Sequence, residues 1–586
     1  MGSRLLSLRP YDLAPLPGRS LTLAVPDRTA SVSERPVAKE QFLAVKALAR
    51  SSLLLSMLWP VAGFAAVTPY PPYPGAKPSP AFQVTVDGQP VFVHRFLTYD
   101  QFQFMDYASF SMTGKVRVTV TNLVGEMDVL TCDIRPLAYG IKPRIGGNTC
   151  SFDLDRPRYL LVFPNEMAAF GAAGLMLFAE PPEQNPPKLG DPNVVNILDY
   201  KLDNTGKTVE TAAINRAIGD VAAKPGGGVL FFPAGGVYMT GTLLMKSNVR
   251  LYVDAGALIK GTGKMADYTS APAPPGQPPR ARPLRAQVIF DHVENAGLMG
   301  RGAIDMDGYP RLWYDFAPDT ADGRARNEDG IVKDPHGAGA RGYVIDNCRN
   351  ITFEDLLLLR SAEWTVHVID TEHFTTRNIK IVNRKRQHHD DIYDLTGSSK
   401  HILIEDGLAM GMDDTWALYG NRAAGAGLED IVVKGFVNYT YDTGVGTGYG
   451  NPASVSHLRF EDVHFVSNTV DYAVWFQHAP RYWTGRGYPE GRGIGKPAPT
   501  DDVRFVNCSF ENDGGHIWID AGDSPFTNLV FDHCTFFKAT RPSLIAGKNV
   551  GEVLFKHVTV EGVVIRNAEQ LRRAGFVVTV PVKFEP

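Results

Sequence analysis

Two short acidic segments carry the most chemistry in this sequence. Residues 388–394 read His-His-Asp-Asp-Ile-Tyr-Asp, and residues 412–416 read Met-Asp-Asp-Thr-Trp. Three or four carboxylates on one wall repel one another, and the repulsion raises the pKa of at least one of them. One group then stays protonated as an acid while its neighbours act as bases. The two segments therefore predict acid–base chemistry, provided that the fold brings them together.

The spacing of these segments suits a coiled backbone. Asp391 and Asp413 are 22 residues apart, and strands one coil apart lie side by side at about 4.8 Å. Both side chains then project from the same face. Hydrolysis of a glycosidic bond with inversion needs a proton donor and a base that holds water, with the carboxyl groups about 6.5–9.5 Å apart. A step of one coil with diverging side chains supplies that separation.

Residue types alone leave two other interpretations of the acidic segments open. They could bind calcium, or they could form a ladder of side chains that caps turns. The sequence contains no Cys/His spacing typical of zinc and no glycine-rich phosphate loop, so neither a resident metal nor an organic cofactor is predicted.

A repeated pattern predicts the element that positions the aspartates. A polar residue followed by apolar-x-apolar recurs, mostly at intervals of roughly two dozen residues, which is typical of solenoid units. The repeats lie at residues 248–251, 350–353, 378–381, 401–404, 430–433, 457–460, 502–505, 528–531 and 552–555. Each unit is too small to bury its own apolar face, so the units must stack. Short β-runs without intervening helices predict a right-handed parallel β-helix over residues 190–586. A large β-sandwich, the alternative, would not give so regular a register.

A different pattern precedes the repeats. Alternating segments such as 82–86, 116–120 and 159–163 are separated by turn residues. Period-two alternation predicts antiparallel strands, and we expect a small antiparallel β-sandwich over residues 67–185. A single helix is predicted over residues 208–223, where apolar residues recur at helical spacing.

The first 66 residues predict a targeting segment and not a part of the folded domains. Lys46 and Arg50 precede an apolar run at residues 53–62, and small residues follow up to Ala66. This order is typical of a cleaved signal peptide, and the run is too short to span a bilayer. We expect an upstream extension and signal peptide over residues 1–66, and a protein exported to the periplasm or the medium. A buried helix is the alternative.

Five cysteines fit an exported protein without a disulfide framework. Cys132 and Cys150 lie in the same β-rich region and could pair. Cys348, Cys508 and Cys534 each lie in an apolar strand pattern, which is typical of small core residues.

Charge and loop composition limit the partners. Lys and Arg number 59 against 63 Asp and Glu, and this balance argues against nucleic acid, which usually requires a basic surplus. Two long insertions at residues 305–342 and 481–500 carry the aromatic residues Trp313, Tyr314, Phe316, Tyr482, Trp483 and Tyr488. Aromatic side chains in long loops suit sugar stacking, although capping of exposed strands explains them equally well. The oligomeric state is not indicated.

The segment from Thr208 carries a family resemblance. It reads TVETAAINRAIGDVAAKPGGGVLFFPAGGVYMTGTLLMKSNVRLYVDAGALIKGTG. It resembles the opening of the polygalacturonase-like glycoside hydrolases of family 28, in which a helix caps the β-helix and a run of the form PaGxY…LkSNVxLyldaGAxLkG forms the first coils. The direct joining of a β-sandwich to a β-helix more closely resembles family 49 of the same clan, the dextranase and isopullulanase group. The likeness covers residues 190–565 and, loosely, residues 80–180.

The acidic segments are similar to the N-T-D-G…D-D arrangement of family 28. The resemblance implies an inverting hydrolase in which Asp413 is the general acid while Asp391 and Asp414 activate water. The identity of the first catalytic aspartate of the family pattern stays open. Asp390 competes because it stands directly before an Asp where the family has Gly, and Asp394 competes because its spacing of nineteen residues to Asp413 is close to that of family 49.

Two departures from family 28 argue against an acidic substrate. Residues 444–446 read Gly-Val-Gly where that family has Gly-His-Gly, and residues 474–477 read Val-Trp-Phe-Gln where it has the Arg-x-Lys that holds a uronate carboxylate. A uronate charge left unpaired there would cost roughly a few kcal/mol if desolvated. We therefore expect a neutral or weakly charged glycan, for example an α-glucan. The expected substrate-binding set is Asp390, Asp394, Trp416, Trp475, Gln477 and His478.

Two alternatives to a hydrolase remain. A polysaccharide lyase or epimerase also uses a β-helix and needs a basic residue, for which Arg384, Lys385 and Arg386 are candidates. A non-catalytic β-helix that binds carbohydrate would use the acidic cluster only to hold sugar or metal. Products that absorb ultraviolet light would favour a lyase, and binding without cleavage would favour the binding protein.

Overall fold

The computed structural model describes residues 66–96, 105–166, 173–270, 284–308, 340–383, 390–419, 427–447, 454–466, 472–478, 498–511 and 514–586. Three of the predictions concern residues outside these ranges. They are the leader in residues 1–65, the loop aromatics of both insertions, and the basic and histidine residues of segment 384–389. No helix among the described residues is long and apolar enough to cross a membrane.

The N-terminal part folds as two facing sheets. Its strands are β1 (Ala66–Pro69), β2 (Phe82–Val86), β3 (Gln89–Val91), β4 (Val93–His94), β5 (Met105–Thr113), β6 (Val116–Asn122), β7 (Cys132–Arg135), β8 (Arg144–Gly146), β9 (Thr149–Leu154), β10 (Arg158–Pro164) and β11 (Gly174–Glu180). One sheet has the order β1-β5-β11-β10-β7, with β4 also paired to β5, and the other has the order β3-β2-β6-β9-β8. The pairs are antiparallel except β11–β5, which is parallel. Alternate residues of β2 and β6 point into a shared core, as period-two alternation predicts.

Cysteine side chains behave as their sequence contexts predict. A disulfide joins Cys132 of one sheet to Cys150 of the other. Cys348, Cys508 and Cys534 are free and lie in the core of the following domain.

Two α-helices and several 3₁₀ turns accompany the strands in the described ranges. Helix α1 spans Thr211–Ala222 and helix α2 spans Ala568–Arg573, and the 3₁₀ turns are Val124–Glu126, Leu137–Tyr139, Ile197–Tyr200 and Met265–Asp267. Helix α1 confirms the predicted helix and buries Ile214, Ile218 and Val221 against the first coil. Asn215 of the same helix accepts a hydrogen bond from the Leu244 amide at 2.8 Å and donates to the Thr242 carbonyl at 2.9 Å. These bonds cover an edge strand that would otherwise be open.

The rest of the chain is a right-handed parallel β-helix. Its strands are β12 (Val194–Asn196), β13 (Gly228–Phe232), β14 (Val237–Thr240), β15 (Leu243–Leu244), β16 (Val249–Val253), β17 (Leu258–Gly261), β18 (Ala286–Asp291), β19 (Glu294–Met299), β20 (Ala303–Asp305), β21 (Arg341–Asp346), β22 (Arg349–Glu354), β23 (Leu357–Leu359), β24 (Glu363–Ile369), β25 (Glu372–Val382), β26 (Tyr393–Thr396), β27 (Lys400–Gly411), β28 (Trp416–Tyr419), β29 (Gly427–Thr440), β30 (Val445–Thr447), β31 (Ser454–Glu461), β32 (His464–Val466), β33 (Tyr472–Gln477), β34 (Thr500–Val506), β35 (Ser509–Glu511), β36 (Gly515–Asp520), β37 (Phe526–Asp532), β38 (Thr535–Phe536), β39 (Ser543–Ala546), β40 (Val553–Lys556), β41 (Thr559–Val560), β42 (Val563–Val564), β43 (Phe576–Val578) and β44 (Val582–Glu585).

These strands form two long sheets in the described ranges. The site sheet has the order β15-β18-β21-β24-β26-β28-β30-β33-β36-β39-β43, and the bent sheet contains the other strands of the coils. Identical apolar positions of successive coils stack inside, so that the rings of Phe460, Phe505, Phe531 and Phe555 follow one another at 5.1, 5.2 and 5.2 Å. Such rows bury the apolar face that no single coil can bury alone.

The polar residue that opens most repeats has a backbone role. In seven of the nine predicted repeats it takes a positive φ, between 52° and 62°, in the same row of turns; these residues are Asn248, Asn350, His401, Asp430, His457, Asp502 and Asn528. Asn and Asp tolerate this left-handed conformation better than most other residues. The repeat at Asn378 needs correction, because His373 occupies the equivalent position of its coil opposite His401. Asn378 belongs to a second row of turns, opposite Asp406.

The sandwich packs directly on the β-helix, and the described residues from Ala66 onward belong to one compact unit. An apolar cluster joins Tyr107, Phe163 and Phe178 of the sandwich to Leu359 and Met410 of the bent sheet. The interface also buries charge. Glu180 accepts hydrogen bonds from Arg301 and, at 2.8 Å, from Lys380. Because all three side chains are almost fully buried, each depends on the others for its hydrogen bonds.

Candidate active site

The register of the site sheet decides which aspartates are neighbours. Tyr393 of β26 lies opposite Trp416 of β28, and the ladder continues one step before the strands, where the Ile392 amide donates to the Asp414 carbonyl at 2.9 Å. Asp391 therefore lies opposite Asp414. The sequence spacing predicted Asp391 beside Asp413, so the structure shifts the pairing by one residue.

Three carboxyl groups meet at the ends of these strands. One oxygen each of Asp391, Asp413 and Asp414 lies within 4.8 Å of the others. Asp391 and Asp414 are only 2% and 3% exposed, whereas Asp413 is partly exposed. Asp413 accepts a hydrogen bond from the Asp414 amide at 3.0 Å. The three side chains share one wall outside the coil, and Asp413 connects them to solvent.

Burial and crowding keep protons in this cluster. Burial, then the charges of Asp394, Asp413, Asp414 and Asp390, raise the pKa of Asp391 well above its ordinary value. Burial also raises the pKa of Asp394, and the nearby Arg341 guanidinium offsets only part of the effect. The cluster therefore carries protons at a pH where isolated carboxylates are ionised, as acid–base chemistry requires.

Asp390 is bonded to the backbone that carries the wall, and its role in substrate binding stays a prediction. It is fully buried, and its Oδ1 accepts a hydrogen bond from the Met412 amide at 3.1 Å. Asn383 holds the same segment by donating to the Asp390 carbonyl at 3.2 Å and to Thr365 Oγ1 at 2.8 Å. Asp390 and Asn383 thus position the backbone that carries Asp391 and Asp413.

Trp416 is not a substrate-binding residue. Its side chain is 1% exposed and lies in the core of the β-helix. The indole packs edge-on against Phe436, Phe460 and Phe465 at 5.2, 5.4 and 6.1 Å. Because the strand begins at Trp416, this residue points inward while Asp414, two residues earlier, precedes the strand.

Trp475 and Gln477 project from the outer face of the site sheet. Their neighbours Val474 and Phe476 point into the core, so alternation turns Trp475 and Gln477 outward. Both are nevertheless buried. Gln477 Oε1 accepts a hydrogen bond from Trp518 Nε1 at 2.7 Å.

The adjacent His478 is also buried, and neither ring nitrogen has a hydrogen-bond partner among the described atoms. Burial lowers the pKa of His478 to about 4, although Asp520 opposes the shift. The ring is therefore neutral at neutral pH.

A partly exposed aromatic pair lies beside the aspartates, and the sequence analysis missed it. The rings of Trp364 and Tyr419 stack at 5.5 Å, and the Arg341 guanidinium lies over Trp364 at 4.6 Å. Burial raises the pKa of Tyr419, and the charges of Asp391 and its neighbours raise it further, so this phenol lies close to the cluster. A shift of register between β21 and β24 inserts one extra residue here. Bulges of this kind often re-aim side chains beside active sites.

One sequence signal could have found this pair. Trp364 follows the buried Ser361-Ala362 turn of the coil before Asp391, and Tyr419 ends the strand after Asp414. Counting outward positions on the two coils that flank the aspartates would have selected both.

Among the residues that the structure describes, two groups of side chains have donor atoms placed for a metal ion. Asp391, Asp413 and Asp414 form one, and Glu372, His373 and His401 form the other. Three carboxylates suit a hard cation such as Ca²⁺, so the acidic cluster fits the calcium interpretation as well as the acid–base one. The second group is less suitable, because Glu372 already pairs with Arg349 at 2.9 Å and with Lys400 at 3.2 Å.

Two family models match the β-helix. The model described as rhamnogalacturonase A/epimerase, pectate lyase-like, matches residues 194–285, and the model of glycosyl hydrolases family 28 matches residues 255–471. The second match contains all three clustered aspartates.

Curated relatives match shorter stretches. The chain is 33% identical over 127 residues to an exo-poly-alpha-D-galacturonosidase from Dickeya chrysanthemi, covering 20% of each chain. It is 21% identical over 286 residues to an endo-polygalacturonase from Pectobacterium carotovorum subsp. carotovorum, covering 47% of this chain and 66% of that one. The chain thus matches a fifth of the first relative and just under two thirds of the second.

A solved structure agrees over almost the whole fold. Dex49A from Penicillium minioluteum matches with a TM-score of 0.56 at 13% identity, covering 88% of this chain and 96% of that chain. At this identity the likeness concerns the fold. The family 28 match contains the aspartate wall and the strands that carry it, so residues 255–471 of this chain are similar to the glycosyl hydrolases of family 28.

Proposed function

We propose that this protein is a glycosidase that hydrolyses a polysaccharide or oligosaccharide with inversion of the anomeric carbon. The observation that carries the proposal is the meeting of three carboxyl groups, Asp391, Asp413 and Asp414, within 4.8 Å on one wall. Two or more carboxyl groups at the scissile bond are the usual machinery of glycoside hydrolysis.

Asp413 is the general acid in this proposal. It is the partly exposed member of the cluster, so it can reach the glycosidic oxygen and transfer a proton as the bond to C1 breaks. Asp391 and Asp414 lie opposite each other and hold one water between them. That water attacks C1 and passes its proton to one of the two carboxylates. The raised pKa of Asp391 makes this residue the competing acid.

Retention of the anomeric configuration is the outcome that competes with inversion. One oxygen of each group lies within 4.8 Å of the others, so 4.8 Å is an upper limit on the distance between the nearest oxygens of any two groups. Inverting enzymes keep their carboxyl groups about 6.5–9.5 Å apart, and retaining enzymes about 5–5.5 Å. Inversion is proposed because two of the three carboxylates can share one water. Retention would instead require one of them to attack the sugar.

A neutral glycan is the proposed substrate, although the curated relatives are named for galacturonan. The outward positions of β33 carry Trp475 and Gln477, and the neighbouring His478 is uncharged at neutral pH because burial lowers its pKa to about 4. A uronate carboxylate would meet no cation from these residues. Trp364 and Tyr419 offer a partly exposed aromatic surface next to the aspartates, which suits the apolar face of a sugar ring.

The test measures which polysaccharides are cleaved and which anomer is released first. Purified protein is incubated with dextran, pullulan, soluble starch and polygalacturonate, and the first anomer released is followed by NMR. The proposal expects cleavage of a neutral glycan and release of the anomer opposite to that of the scissile bond. Release of the same anomer would overturn inversion. Cleavage of polygalacturonate alone would overturn the neutral substrate.

The same assays separate the other two classes. Products with ultraviolet absorbance, together with loss of activity in chelator, would replace the hydrolase with a lyase. Binding of a glycan without any cleavage would replace it with a carbohydrate-binding protein. We also propose export, on the signal-like pattern of residues 45–66; N-terminal sequencing of the protein from periplasm and medium tests it, and an intact leader on a cytoplasmic protein would contradict it.

A further inference from the structure

A groove of about 570 Å³ lies between the sandwich and the β-helix. Its floor is the second row of turns, formed by Asn378, Asp406, Gly435, Asp462 and Asn507 of successive coils. Its opposite wall comes from the sandwich and includes residues 138–139 and 156–159. The floor turns belong to the bent sheet, whereas the aspartate wall belongs to the site sheet. The groove is therefore separate from the proposed active site.

At one end of the floor, Asn378 donates to Asp355 at 2.9 Å and accepts from Tyr159 of the sandwich at 3.0 Å. The middle of the floor differs from the first row of turns in how its polar groups are used. In the first row, Asn350 donates to Asn295 at 3.0 Å and His401 pairs with Asp430 at 2.8 Å, so neighbouring side chains satisfy one another. The carboxylates of Asp406 and Asp462 make no such ladder contact among the described atoms. Their hydrogen-bonding capacity faces the groove.

Gly435 is the reason for this difference. It stands between Asp406 and Asp462 in the row and has a φ of 62°. A Cβ at this position would lie 2.3 Å from Asp406 Oδ1. The missing side chain leaves a gap in the row, and the Asp406 carboxylate borders this gap. Asp462 lies about 10 Å from Asp406 along the row, which is two strand spacings of about 4.8 Å each.

The charges that line the groove balance. Arg156 and Arg158 from the sandwich face Asp406 and Asp462 from the β-helix. His464 is neutral, because burial and, to a smaller extent, the charge of Arg158 lower its pKa to about 3. Neither an anion nor a cation finds a surplus of opposite charge here. Carboxylates and guanidinium groups that offer paired acceptors and paired donors suit adjacent hydroxyl groups instead.

The size of the groove also fits a short glycan. Small-molecule sites commonly enclose about 300–1,000 Å³. Tyr139 forms part of the wall, with the Arg158 guanidinium over its ring at 4.3 Å and the His464 ring edge-on at 4.7 Å. These contacts hold Arg158 in place before any ligand binds, which reduces the entropy lost on binding.

We propose that this groove is a second, non-catalytic carbohydrate-binding site that takes a short stretch of a neutral glycan. Such a site would hold the polymer on the enzyme while the aspartate wall acts on another part of the chain. The inference concerns binding, and the role of the bound glycan rests on the proposed glycosidase activity.

The decisive variant fills the gap in the floor. Gly435→Asn places a side chain over the groove, and Asn accepts the left-handed backbone conformation. Gly397→Asn is the matched control: Gly397 has a φ of 70°, and a Cβ there would lie 2.2 Å from Asp370 Oδ1, but it does not line the groove. Both changes are made in the Asp413→Asn protein, so that turnover does not degrade the probe.

Binding is measured by the retardation of each protein in native gels that contain dextran, pullulan, soluble starch or polygalacturonate. We expect Gly435→Asn to weaken binding to at least one neutral glucan about ten-fold relative to Gly397→Asn, and to leave any retardation by polygalacturonate unchanged. Equal mobility of the two variants in every gel that contains a neutral glucan overturns the proposal. The same holds if no neutral glucan retards either variant. A loss confined to polygalacturonate overturns it as well.

A second variant keeps the test valid if Gly435→Asn fails to fold. Arg156 is exposed on the opposite wall, and Arg156→Ala removes donors without touching the core. We expect the same loss of neutral glucan binding with an unchanged melting temperature. Unchanged binding in Arg156→Ala, when Gly435→Asn cannot be purified, overturns the proposal.

Discussion

Asp390 Oδ1 accepts a hydrogen bond from the Met412 amide at 3.1 Å, and this contact ties together the two coils that carry the aspartate wall. The carboxyl group is fully buried, and burial followed by the charge of Asp413 raises its pKa well above the ordinary value. A buried acceptor in this position fixes the turn that precedes Asp413. It therefore positions Asp413 through backbone geometry.

Asp390 should accordingly tolerate Asn and not Ala. Asp390→Asn keeps an acceptor oxygen for Met412, whereas Asp390→Ala leaves that amide unsatisfied at a cost of about 1–3 kcal/mol. We expect Asn to retain most of kcat and Ala to lower both kcat and the melting temperature. Steady-state kinetics and calorimetry on the two variants check this. If Asn at this position abolishes turnover as completely as Asn at Asp391, Asp390 is a catalytic residue.

Asp413→Asn should separate proton donation from binding. Loss of a general acid costs about 10²–10⁴-fold in rate, and we expect a loss of that size on the polysaccharide with little change in KM. A glycosyl fluoride needs no protonation of its leaving group, so the variant should hydrolyse it with a much smaller loss. Asp523→Asn, on an exposed surface residue, is the control. Equal losses on both substrates would move the acid role away from Asp413.

The two tryptophans near the site should respond in opposite ways. Trp364 is partly exposed beside the aspartates, and Trp364→Ala should raise KM about ten-fold, the equivalent of about 1.4 kcal/mol of binding energy. Trp416 lies in the core, and Trp416→Phe should lower the melting temperature through a cavity that costs about 1–3 kcal/mol. Kinetics and thermal unfolding of both variants distinguish the roles. A raised KM in Trp416→Phe at unchanged stability would contradict the assignment.

The aspartate wall should destabilise the fold as pH rises. Burial, then the charge of Asp394, raises the pKa of Asp391 above its ordinary value of 3.8, so the folded protein holds a proton that the unfolded chain releases near that pH. The stabilisation is complete below pH 3.8 and is lost as pH rises through the higher pKa of the folded state. Asn cannot ionise, so Asp391→Asn should melt at a higher temperature than the wild type at neutral pH.

The melting temperatures of Asp391→Asn and of the wild type are measured from about pH 4 to pH 7, and their difference is followed with pH. We expect this difference to widen with pH, and we expect no such trend for Asp523→Asn. A difference that stays constant across the range would mean that Asp391 ionises in the folded protein as it does in the unfolded chain.

The buried ion pairs between sandwich and β-helix should matter far more than those on the surface. Glu180→Ala would leave Arg301 and Lys380 buried without their partner, and breaking such a pair costs about 3–5 kcal/mol. The exposed pair of Glu569 and Arg573 should be worth about 0.3–0.5 kcal/mol, which makes Glu569→Ala the matched control. Calorimetry of both variants measures the contrast. Similar small shifts would show that water reaches the Glu180 network.

Much of this architecture can be derived from the sequence because it depends on local pattern. The apolar-x-apolar runs form the core rows of the coils, and the polar residue before most of them, such as Asn248 or Asp430, takes the left-handed turn conformation. Helix α1 and the buried cysteines follow from the same rules of periodicity and size. The presence of several aspartates on neighbouring coils could be predicted for the same reason.

The pairing of those aspartates was decided only by tertiary structure. A shift of one residue in strand register turns a side chain to the other face, and loop length, which no local pattern reveals, sets that register. It pairs Asp391 with Asp414, turns Asp390 onto the Met412 amide and places Trp416 inside the coil. Trp364 and Tyr419 meet because two strands distant in sequence lie close together, and the groove above Gly435 exists only because a separate domain packs on that row of turns.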